Sequence, residues 1–558
     1  MTAGLEHTWV AHYAKGVPAE IEPPDSSLVD LLTGAVTTYG DRPALEFFGA
    51  ELSYSELGRQ VDVAAEGLRR LGVRPGDRVA LVLPNCPEHI VAFYAVLRLG
   101  AVVVEHNPLY TPTEMAHQFG DHGATVAIAW DRIATTITAL PGVEHVVAVD
   151  ITASMPWTKR LALRLPVARA RALRAQLTGR APGTTAWSDV VRHGPLAPST
   201  PGPTVDDLAA IQYTSGTTGV PKGAMLSHGN LMANAAQGRA WVPGLTPGQE
   251  VVYAVLPMFH AYGLTLCLTF AMSMGARLVL FPRFDVDLVL TAAKKHPPTF
   301  LPAVPPIYER LATAARERGT DLTATRFAIS GAMALPRETL ELWEDVTGGL
   351  LVEGYGLTET SPVALGNPIG SDRRPGAVGV PFPSTDIRVV DPEDPTRDLA
   401  PGERGELLIR GPQVFGGYWG RPEETAAALL DGGWFRTGDI VVVDPDGFVS
   451  VVDRIKEIII TGGFNVMPSE VEAVLRTVPG ITDAAVVGLP KHDGSEDVVA
   501  AVTTEPGVEL VVEDVRARCR ADLAAYKVPR RVVVVDELPR SQIGKVLRKQ
   551  VRDSLIEG

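Results

Sequence analysis

The chain has 558 residues, of which 46% are hydrophobic and 21% charged, and its formal net charge is −14. This length allows two or more domains with a large buried core, and the composition is that of a globular protein. The acidic balance excludes a general nucleic-acid-binding role, because contact with a phosphate backbone rests on a basic surface.

The cysteines and the N-terminus bear on the cellular compartment. Cys86, Cys267 and Cys519 are far apart and match no metal-ligand or disulfide spacing, which favours the reducing cytoplasm. The first residues lack the basic start and apolar run of a secretory signal, and no uncharged apolar run reaches the roughly 18 residues of a membrane span. We therefore expect a cytoplasmic protein that is soluble or attached peripherally to a membrane.

Alternating helical and strand patterns occupy the first part of the chain. Apolar periodicity predicts helices at residues 54–71 and 88–99, and short apolar runs predict strands at 78–83, 251–256 and 277–281. This alternation predicts an α/β fold with a largely parallel sheet.

Residues 151–183 differ from their surroundings, since they contain seven basic residues, no acidic residue and several interleaved leucines. The basic residues are Lys159, Arg160, Arg164, Arg169, Arg171, Arg174 and Arg180. We favour a solvated surface helix or a mobile insert here, and the alternative is contact with a membrane surface of anionic lipid.

Residues 213–225 combine hydroxyl side chains, glycines and a lysine, and a proline-rich loop at 195–203 leads into them. The hydroxyl residues are Thr214, Ser215, Thr217 and Thr218, the glycines are Gly216, Gly219 and Gly223, and the cation is Lys222. Glycine lets the backbone approach a ligand closely, and hydroxyls and amides donate to phosphate oxygens. The segment therefore predicts a phosphate-binding cradle. Its spacing differs from that of P-loop nucleotidases, which indicates a different ATP chemistry.

A second cluster, residues 353–361, joins a glycine-rich turn to hydroxyls and a carboxylate. Its candidate binding residues are Glu353, Gly354, Tyr355, Gly356, Thr358 and Glu359. The Glu359 carboxylate is a hard oxygen ligand of the kind that Mg²⁺ takes together with waters and nucleotide phosphates. Taken alone, the cluster is equally compatible with a strand, a turn and a capping residue.

After residue 402 the pattern changes to short strands and tight turns, which are typical of antiparallel hairpins. The predicted strands are 405–410, 440–443 and 448–452, and the turn between the last two is Asp444-Pro-Asp-Gly447. Beyond Lys456 we predict helices at 469–475 and 512–523 and strands near 484–487 and 499–503. These elements predict a separate small α+β domain.

The chain closely resembles the acyl-adenylate-forming, or AMP-binding, enzymes, which include acyl-CoA synthetases, peptide-synthetase adenylation domains and firefly luciferase. Six motifs in a fixed order carry the resemblance: 213–225, 352–360, Trp434-Phe-Arg-Thr-Gly-Asp439, Asp453-Arg-Ile-Lys456, Gly462-Gly-Phe-Asn-Val466 and Pro539-Arg-Ser-Gln-Ile-Gly-Lys545. The resemblance implies a large N-terminal domain (1–452) of α/β subdomains and a β-rich subdomain. A hinge (453–456) and a small mobile α+β domain (457–558) would follow.

The resemblance also implies roles for individual residues. Lys545 is the implied catalytic lysine, which contacts the attacking carboxylate and the α-phosphate. Asp439 is implied to accept hydrogen bonds from the ribose hydroxyls, and Arg454 to assist there or at phosphate. His260 is implied to contact the acid or a phosphate.

The remaining implied positions surround these groups. Thr214 and Glu359 are the implied magnesium-binding residues, and Gly331 leaves space beside the adenine and the acyl group. Lys456 occupies the hinge position, and Gly462 and Gly463 line the path of the pantetheine arm.

By this resemblance the reaction is a two-step ligation that uses ATP, Mg²⁺ and coenzyme A. A carboxylate attacks the α-phosphate to give an acyl-adenylate and pyrophosphate, and the thiol of coenzyme A then takes the acyl group. The residues after the hinge, with Ile460 where aryl ligases commonly have lysine, resemble those of fatty-acyl-CoA synthetases.

Three other functions stay open. They are an aryl-carboxylate–CoA ligase, a fatty-acyl-AMP ligase that serves a carrier protein, and a noncatalytic acyl or nucleotide sensor, which intact Lys545, Glu359 and Asp439 disfavour. The chain length of the acid is also open, and so is the oligomeric state, for which a homodimer is one alternative.

Overall fold

The computed structural model describes residues 7–214, 221–461, 464–491, 496–541 and 544–557. The chain forms two compact units. The large unit contains Trp9–Asp386 and Ile409–Phe435, and the small unit contains Met1–Thr8, Ile387–Leu408 and Arg436–Gly558. The predicted domains 1–452 and 457–558, with their hinge, stay a prediction.

A nine-stranded sheet forms one half of the large unit. In spatial order its strands are Val380–Pro381, Val363–Gly366, Leu350–Gly356, Phe327–Ser330, Phe300–Ala303, Val251–Ala254, Arg277–Leu280, Pro43–Phe47 and Ala50–Ser53. The six strands from Leu350–Gly356 to Pro43–Phe47 are parallel to one another, and the pairings of the other three strands are antiparallel. Parallel strands are usually covered on both faces, and Phe300–Ala303 is accordingly buried along its length.

A seven-stranded sheet forms the other half and positions the predicted cradle. In spatial order its strands are Thr185–Ala186, His145–Val149, Val126–Trp130, Arg78–Val82, Val102–Glu105, Leu208–Thr214 and Lys222–Ser227. All pairs are parallel except the last, which is antiparallel. The predicted α/β alternation is therefore confirmed.

Helices of the large unit connect these strands. They are Leu28–Tyr39, Tyr54–Arg70, Pro87–Arg98, Pro112–His122, Ala134–Thr138, Trp157–Leu163, Ala168–Leu177, Trp187–Val190, His228–Trp241, Ala261–Gly263, Phe270–Met274, Val286–Ala293, Pro305–Arg318, Arg337–Thr347 and Pro422–Ala428, with a π-helical turn at Leu264–Thr269. The predicted surface helix at 151–183 is present as Trp157–Leu163 and Ala168–Leu177. No helix in the described ranges has both the length and the apolar character needed to cross a membrane.

Capping boxes fix the start of several helices, because each satisfies two backbone amides that the first turn leaves free. The pairs are Ser27 with Asp30, Ser53 with Glu56, Thr111 with Glu114, and Ser227 with Asn230. Asn230 has a second role, since its Nδ2 also donates to the carbonyls of Pro412 and Val414 at 2.9 Å each.

A five-stranded sheet contains the predicted hairpin. Its strands are Asp386–Val390, Arg404–Arg410, Trp434–Val443, Leu429–Leu430 and Val449–Arg454. The turn at 444–447 forms as predicted, because the Asp444 carboxylate accepts hydrogen bonds from the amides of Asp446 (2.9 Å) and Phe448 (3.0 Å).

The end of the small unit has its own core. Its strands are Ile459–Thr461, Phe464–Val466, Ile481–Pro490, Glu496–Thr504 and Arg531–Val534, and its helices are Pro468–Leu475, Val512–Asp522 and Arg548–Glu557. Strand alternation sends Val486 and Val498 towards the first two helices, whereas Val487 and Val499 pack against Val551 of the last helix. This arrangement matches the predicted α+β composition.

Candidate active site

The strands on either side of the predicted cradle are paired up to their ends. Thr214 lies opposite Lys222 in the antiparallel register, and the Thr214 hydroxyl donates to the Lys222 carbonyl at 3.5 Å. The predicted binding residues Ser215, Gly216, Thr217, Thr218 and Gly219 lie outside the described residues. The described ends of the segment therefore bring Thr214 and Lys222 opposite each other on adjacent strands.

The Glu359 carboxylate is buried in the short turn Thr358–Thr360, just after the strand Leu350–Gly356. Its Oε1 accepts a hydrogen bond from the Tyr418 hydroxyl at 2.7 Å. Burial and the neighbouring carboxylate raise the pKa of Tyr418, so the phenol keeps its proton and donates it. The Lys222 ammonium lies 5.1 Å from the centre of the same tyrosine ring.

Tyr418 is thus a site residue that the sequence analysis missed. It joins the predicted phosphate-binding Lys222 to the predicted metal-binding Glu359, yet no local pattern in Gly416-Gly-Tyr-Trp419 marks it. In the part of the chain that the structure describes, no group of three or more His, Cys, Asp or Glu side chains could hold a metal ion. Glu359 and the Thr214 hydroxyl nevertheless suit Mg²⁺, which usually takes one or two protein carboxylates and completes its shell with phosphate oxygens and water.

The residues before Glu359 mainly fix the local backbone rather than offering a free charged group to a ligand. The Glu353 carboxylate accepts from Asn367 Nδ2 and from the Gly376 amide, both at 2.9 Å, so it anchors a neighbouring loop. At Gly356 an added Cβ would lie 1.8 Å from the Pro362 carbonyl, which only glycine avoids. Roles of Gly354, Tyr355 and Thr358 in nucleotide binding stay predictions.

His260 lies at the start of the helix Ala261–Gly263, where its Nδ1 accepts from the Tyr262 amide at 3.3 Å. Burial lowers the pKa of His260 to about 4, so the ring is neutral near pH 7. Tyr262 in turn donates to the Ile329 carbonyl at 2.7 Å. At Gly331 an added Cβ would lie 3.0 Å from the Tyr262 ring, so a larger residue would press on that ring. The predicted space beside the adenine and the acyl group stays a prediction.

Asn85 fixes the loop before His260 by hydrogen bonds, and the sequence analysis did not single it out either. Its Nδ2 donates to the carbonyls of Ala254 (2.9 Å) and Leu256 (2.7 Å), and its Oδ1 accepts from the Met258 amide (2.8 Å). Because the amide is buried, these bonds set the path of the chain towards His260.

In the small unit, Asp439 and Arg454 face each other across the hairpin. Arg454 Nε lies 3.0 Å from Asp439 Oδ1, and the carboxylate is almost fully buried. Burial and the positive charge of Arg454 lower the pKa of Lys545 to about 8, against the opposing charges of Glu457 and Asp439. The structure therefore brings three of the predicted nucleotide and catalytic residues into one electrostatic environment.

Residues before and after Lys456, the predicted hinge position, are held by hydrogen bonds or ion pairs. Asp453 accepts from the amide (2.9 Å) and hydroxyl (2.8 Å) of Ser469, and Glu457 pairs with Arg548. Lys456 itself lies in the turn Ile455–Glu457. The predicted residues Gly462 and Gly463 lie outside the described residues.

Comparison with known proteins identifies the family of the chain. The family described as "AMP-binding enzyme" matches residues 32–419, and the "AMP-binding enzyme C-terminal domain" matches residues 470–545. A long-chain-fatty-acid–CoA ligase of Bacillus subtilis (strain 168) is 37% identical over 554 residues, covering 98% of each chain. A feruloyl-CoA synthase of an Amycolatopsis species is 36% identical and covers 91% of this chain and 95% of its own.

Among solved structures, ATP-bound MatB from Rhodopseudomonas palustris superposes with a TM-score of 0.79 and 31% identity, covering 95% of this chain and 99% of that chain. These matches confirm the resemblance that six ordered motifs indicated and the predicted fold class. The chain belongs to the AMP-binding enzyme family.

Proposed function

We propose that the protein is an ATP-dependent acid–thiol ligase. It activates a carboxylic acid, a medium- or long-chain fatty acid, as acyl-AMP and transfers the acyl group to coenzyme A with release of AMP and pyrophosphate. The observation that carries this proposal is the 37% identity, over 98% of both chains, to a protein named long-chain-fatty-acid–CoA ligase.

The residues of the large unit act on the phosphates. Lys222 and the 214–219 segment hold the β- and γ-phosphates, for which a compact ammonium, hydroxyls and glycine amides are suited. Thr214 and Glu359 hold Mg²⁺, which when bound neutralises phosphate charge. The neutral His260 offers a hydrogen bond to the acid or a phosphate, and Gly331 leaves space for the adenine and the acyl group. Glu353, Gly354, Tyr355, Gly356 and Thr358 line the nucleotide side.

The residues of the small unit act on the ribose and the reacting atoms. Asp439 accepts from the ribose hydroxyls, with Arg454 beside it. A carboxylate oxygen of the acid then bonds to the α-phosphorus while the bond to the leaving pyrophosphate oxygen breaks. The Lys545 ammonium stabilises the charge shared between them. Next, the thiolate of coenzyme A attacks the acyl carbonyl and AMP leaves.

Two half-reactions imply two arrangements of the 457–558 domain about Lys456. In the first, Lys545 acts on the α-phosphate, and in the second, Gly462 and Gly463 line the path of the pantetheine arm. A Lys456→Pro variant, whose backbone torsion is restricted, tests this proposal. Wild-type rates of both half-reactions in that variant would reject the hinge.

Pyrophosphate release across fatty and aromatic acids, with and without coenzyme A, tests the function as a whole. We expect fatty acids to be the better substrates, with acyl-CoA as the product. Preference for aromatic acids would favour the aryl-ligase alternative, to which the feruloyl-CoA synthase match lends support. Acyl-AMP that forms but does not pass to coenzyme A would indicate a carrier-protein acceptor, and no release with any acid would indicate a sensor.

Lys545→Ala separates the two chemical steps. We expect this variant to lose adenylate formation and to keep much of the transfer from preformed acyl-AMP to coenzyme A. Near-normal adenylation would remove Lys545 from its proposed role.

We also propose peripheral membrane contact through residues 151–183. Large apolar side chains are exposed there, among them Trp157 at 73% and Leu161 at 56%, which lie one helical turn apart. Among the described residues, no carboxylate lies within ion-pair distance of these basic residues, although Lys159 lies 5.5 Å from the centre of the Phe48 ring. The other basic side chains are available to anionic lipid.

Co-sedimentation with phosphatidylglycerol vesicles, and with neutral phosphatidylcholine vesicles, tests this contact. Changing the basic residues of 151–183 to glutamine should abolish binding to the anionic vesicles, and Trp157→Ser should weaken it. Arg316→Gln with Arg318→Gln, in the exposed last turn of the helix Pro305–Arg318, serves as the charge control; these arginines pair with Asp345 and Asp287. Unaltered binding after the glutamine changes would reject the contact. Self-association into a homodimer is a separate proposal, which sedimentation equilibrium of the full chain tests.

A further inference from the structure

Tyr418 lies on a segment whose backbone is hydrogen-bonded to the strand Lys222–Ser227. The Trp419 amide donates to the Gly223 carbonyl (2.8 Å), and the Met225 amide donates to the Gly417 carbonyl (2.9 Å). The backbone around Tyr418 is therefore fixed to the same strand that begins with Lys222.

The same segment is bonded to Glu359. The Phe415 amide donates to the Glu359 carbonyl at 2.9 Å, and the Tyr418 hydroxyl donates to Glu359 Oε1 at 2.7 Å. The Tyr418 ring packs edge-on against the Phe415 ring with centroids 4.8 Å apart, and the Tyr418 amide donates to Thr425 Oγ1 at 2.9 Å. These contacts restrict the ring to one orientation.

From these contacts we infer that Tyr418 is a positioning residue for Mg-ATP. Its ring face holds the Lys222 ammonium, and its hydroxyl holds one oxygen of the Glu359 carboxylate. One rigid side chain thereby fixes a phosphate-binding cation and a magnesium-binding anion relative to each other. A hydrogen bond to a charged acceptor fixes its orientation strongly, because such bonds are shorter and stronger than neutral ones.

This inference rests on the proposed function, in which Lys222 contacts phosphate and Glu359 contacts Mg²⁺. It goes beyond that function by assigning the relative placement of the two groups to a third residue. It also separates two contributions of Tyr418, since the hydroxyl acts on Glu359 and the ring acts on Lys222.

Calorimetric titration of ATP into the full chain, with and without Mg²⁺, tests the inference without measuring turnover. Tyr418→Phe keeps the ring and loses the hydroxyl, so affinity for Mg-ATP should fall about ten-fold while affinity for Mg-free ATP is unchanged. Tyr418→Leu should weaken both, because the ring contact with Lys222 is also lost. Tyr13→Phe, which removes a hydroxyl bonded to the Pro381 carbonyl at 2.6 Å, is the matched control and should change neither.

A double-mutant cycle shows whether Tyr418 acts through Glu359. In a Glu359→Ala background, Tyr418→Phe should cause no further loss of Mg-ATP affinity. Equal losses of Mg-ATP and Mg-free ATP affinity, or an undiminished loss in the Glu359→Ala background, would overturn the inference. Failure of the proposed function is distinguishable, because the wild-type chain would then release no pyrophosphate with fatty acids, whatever Tyr418→Phe does to its affinity for Mg-ATP.

Discussion

Lys545 carries its positive charge in a buried environment, and replacing it with methionine should stabilise the small unit while abolishing adenylate formation. Burial and Arg454 lower the pKa of Lys545 from its ordinary 10.5 to about 8. At about 1.4 kcal/mol per pKa unit, this shift corresponds to about 3 kcal/mol of folding free energy. Below pH 8 the lysine is protonated in both the folded and the unfolded protein, so the folded state is destabilised by the full amount of about 3 kcal/mol.

The size of this destabilisation depends on pH in a defined window. Between pH 8 and 10.5 the folded lysine releases its proton before the unfolded one does, so the unfolded chain binds more protons and the wild type gains stability as pH rises. The advantage of Lys545→Met should therefore be about 3 kcal/mol at pH 7 and should shrink towards zero above pH 10.5.

Hydrogen exchange in peptides from the helix Arg548–Glu557 is the suitable assay for the small unit. Tryptophan fluorescence is not, because all eight tryptophans belong to the large unit. Lys549→Met is the matched control, since Lys549 is exposed and lies near Lys545 in the chain. Equal protection in the two variants at pH 7, or a difference independent of pH, would refute the reasoning.

Three further predictions concern pH and packing. First, kcat/KM for ATP in adenylate formation should fall above pH 8, because Lys545 of the unliganded enzyme loses its proton there. The rate of acyl transfer from preformed acyl-AMP should not fall in this range. Single-turnover assays of the two steps across pH measure both rates. Second, Gly263→Ala should lower the melting temperature by several degrees, because the new Cβ would lie 2.1 Å from the Pro257 carbonyl oxygen. Gly34→Ala, at a helical position with open space around it, should instead raise the unfolding free energy by up to about 1 kcal/mol. Differential scanning calorimetry of the two variants measures both effects. Third, burial raises the pKa of Glu88 to about 7, so its contribution to folding stability is fully present below pH 4.5 and is lost as pH rises through 7. Between pH 5 and pH 8 the unfolding free energy of Glu88→Gln should rise relative to that of the wild type by up to about 3 kcal/mol. Urea unfolding at the two pH values measures this, and the same difference in unfolding free energy at both would contradict it.

Local signals made much of the fold predictable. The helix predicted at 54–71 is observed as Tyr54–Arg70, because apolar periodicity and a serine cap both act within a few residues. The turn at 444–447 follows from one aspartate that bonds its own following backbone. The order of the strands was not predictable in this way, since Arg277–Leu280 lies between Val251–Ala254 and Pro43–Phe47 through pairings that no local pattern encodes.

The site residues also divide into those that a local motif identifies and those that depend on distant pairings. Glu359, Asp439 and Lys545 stood in recognisable motifs, whereas Tyr418 and Asn85 act through partners 59 and 171 residues away in the chain. A tyrosine or asparagine that hydrogen-bonds at such separation has no composition or spacing that distinguishes it from other loop residues. Only the pairing of the 415–421 segment with the strand Lys222–Ser227 reveals what Tyr418 contacts.

The capping box at Ser227 has a consequence for how variants of this protein should be judged. Asn230 accepts from the Ser227 amide and at the same time donates to two carbonyls at 412 and 414. An Asn230→Asp change would suit the helix N-terminus by charge, yet aspartate has no amide proton to give, so both carbonyls would lose their donor. The stretch leading to Tyr418 would lose its tether, and a substitution that helix-stability rules score as favourable would loosen the nucleotide site.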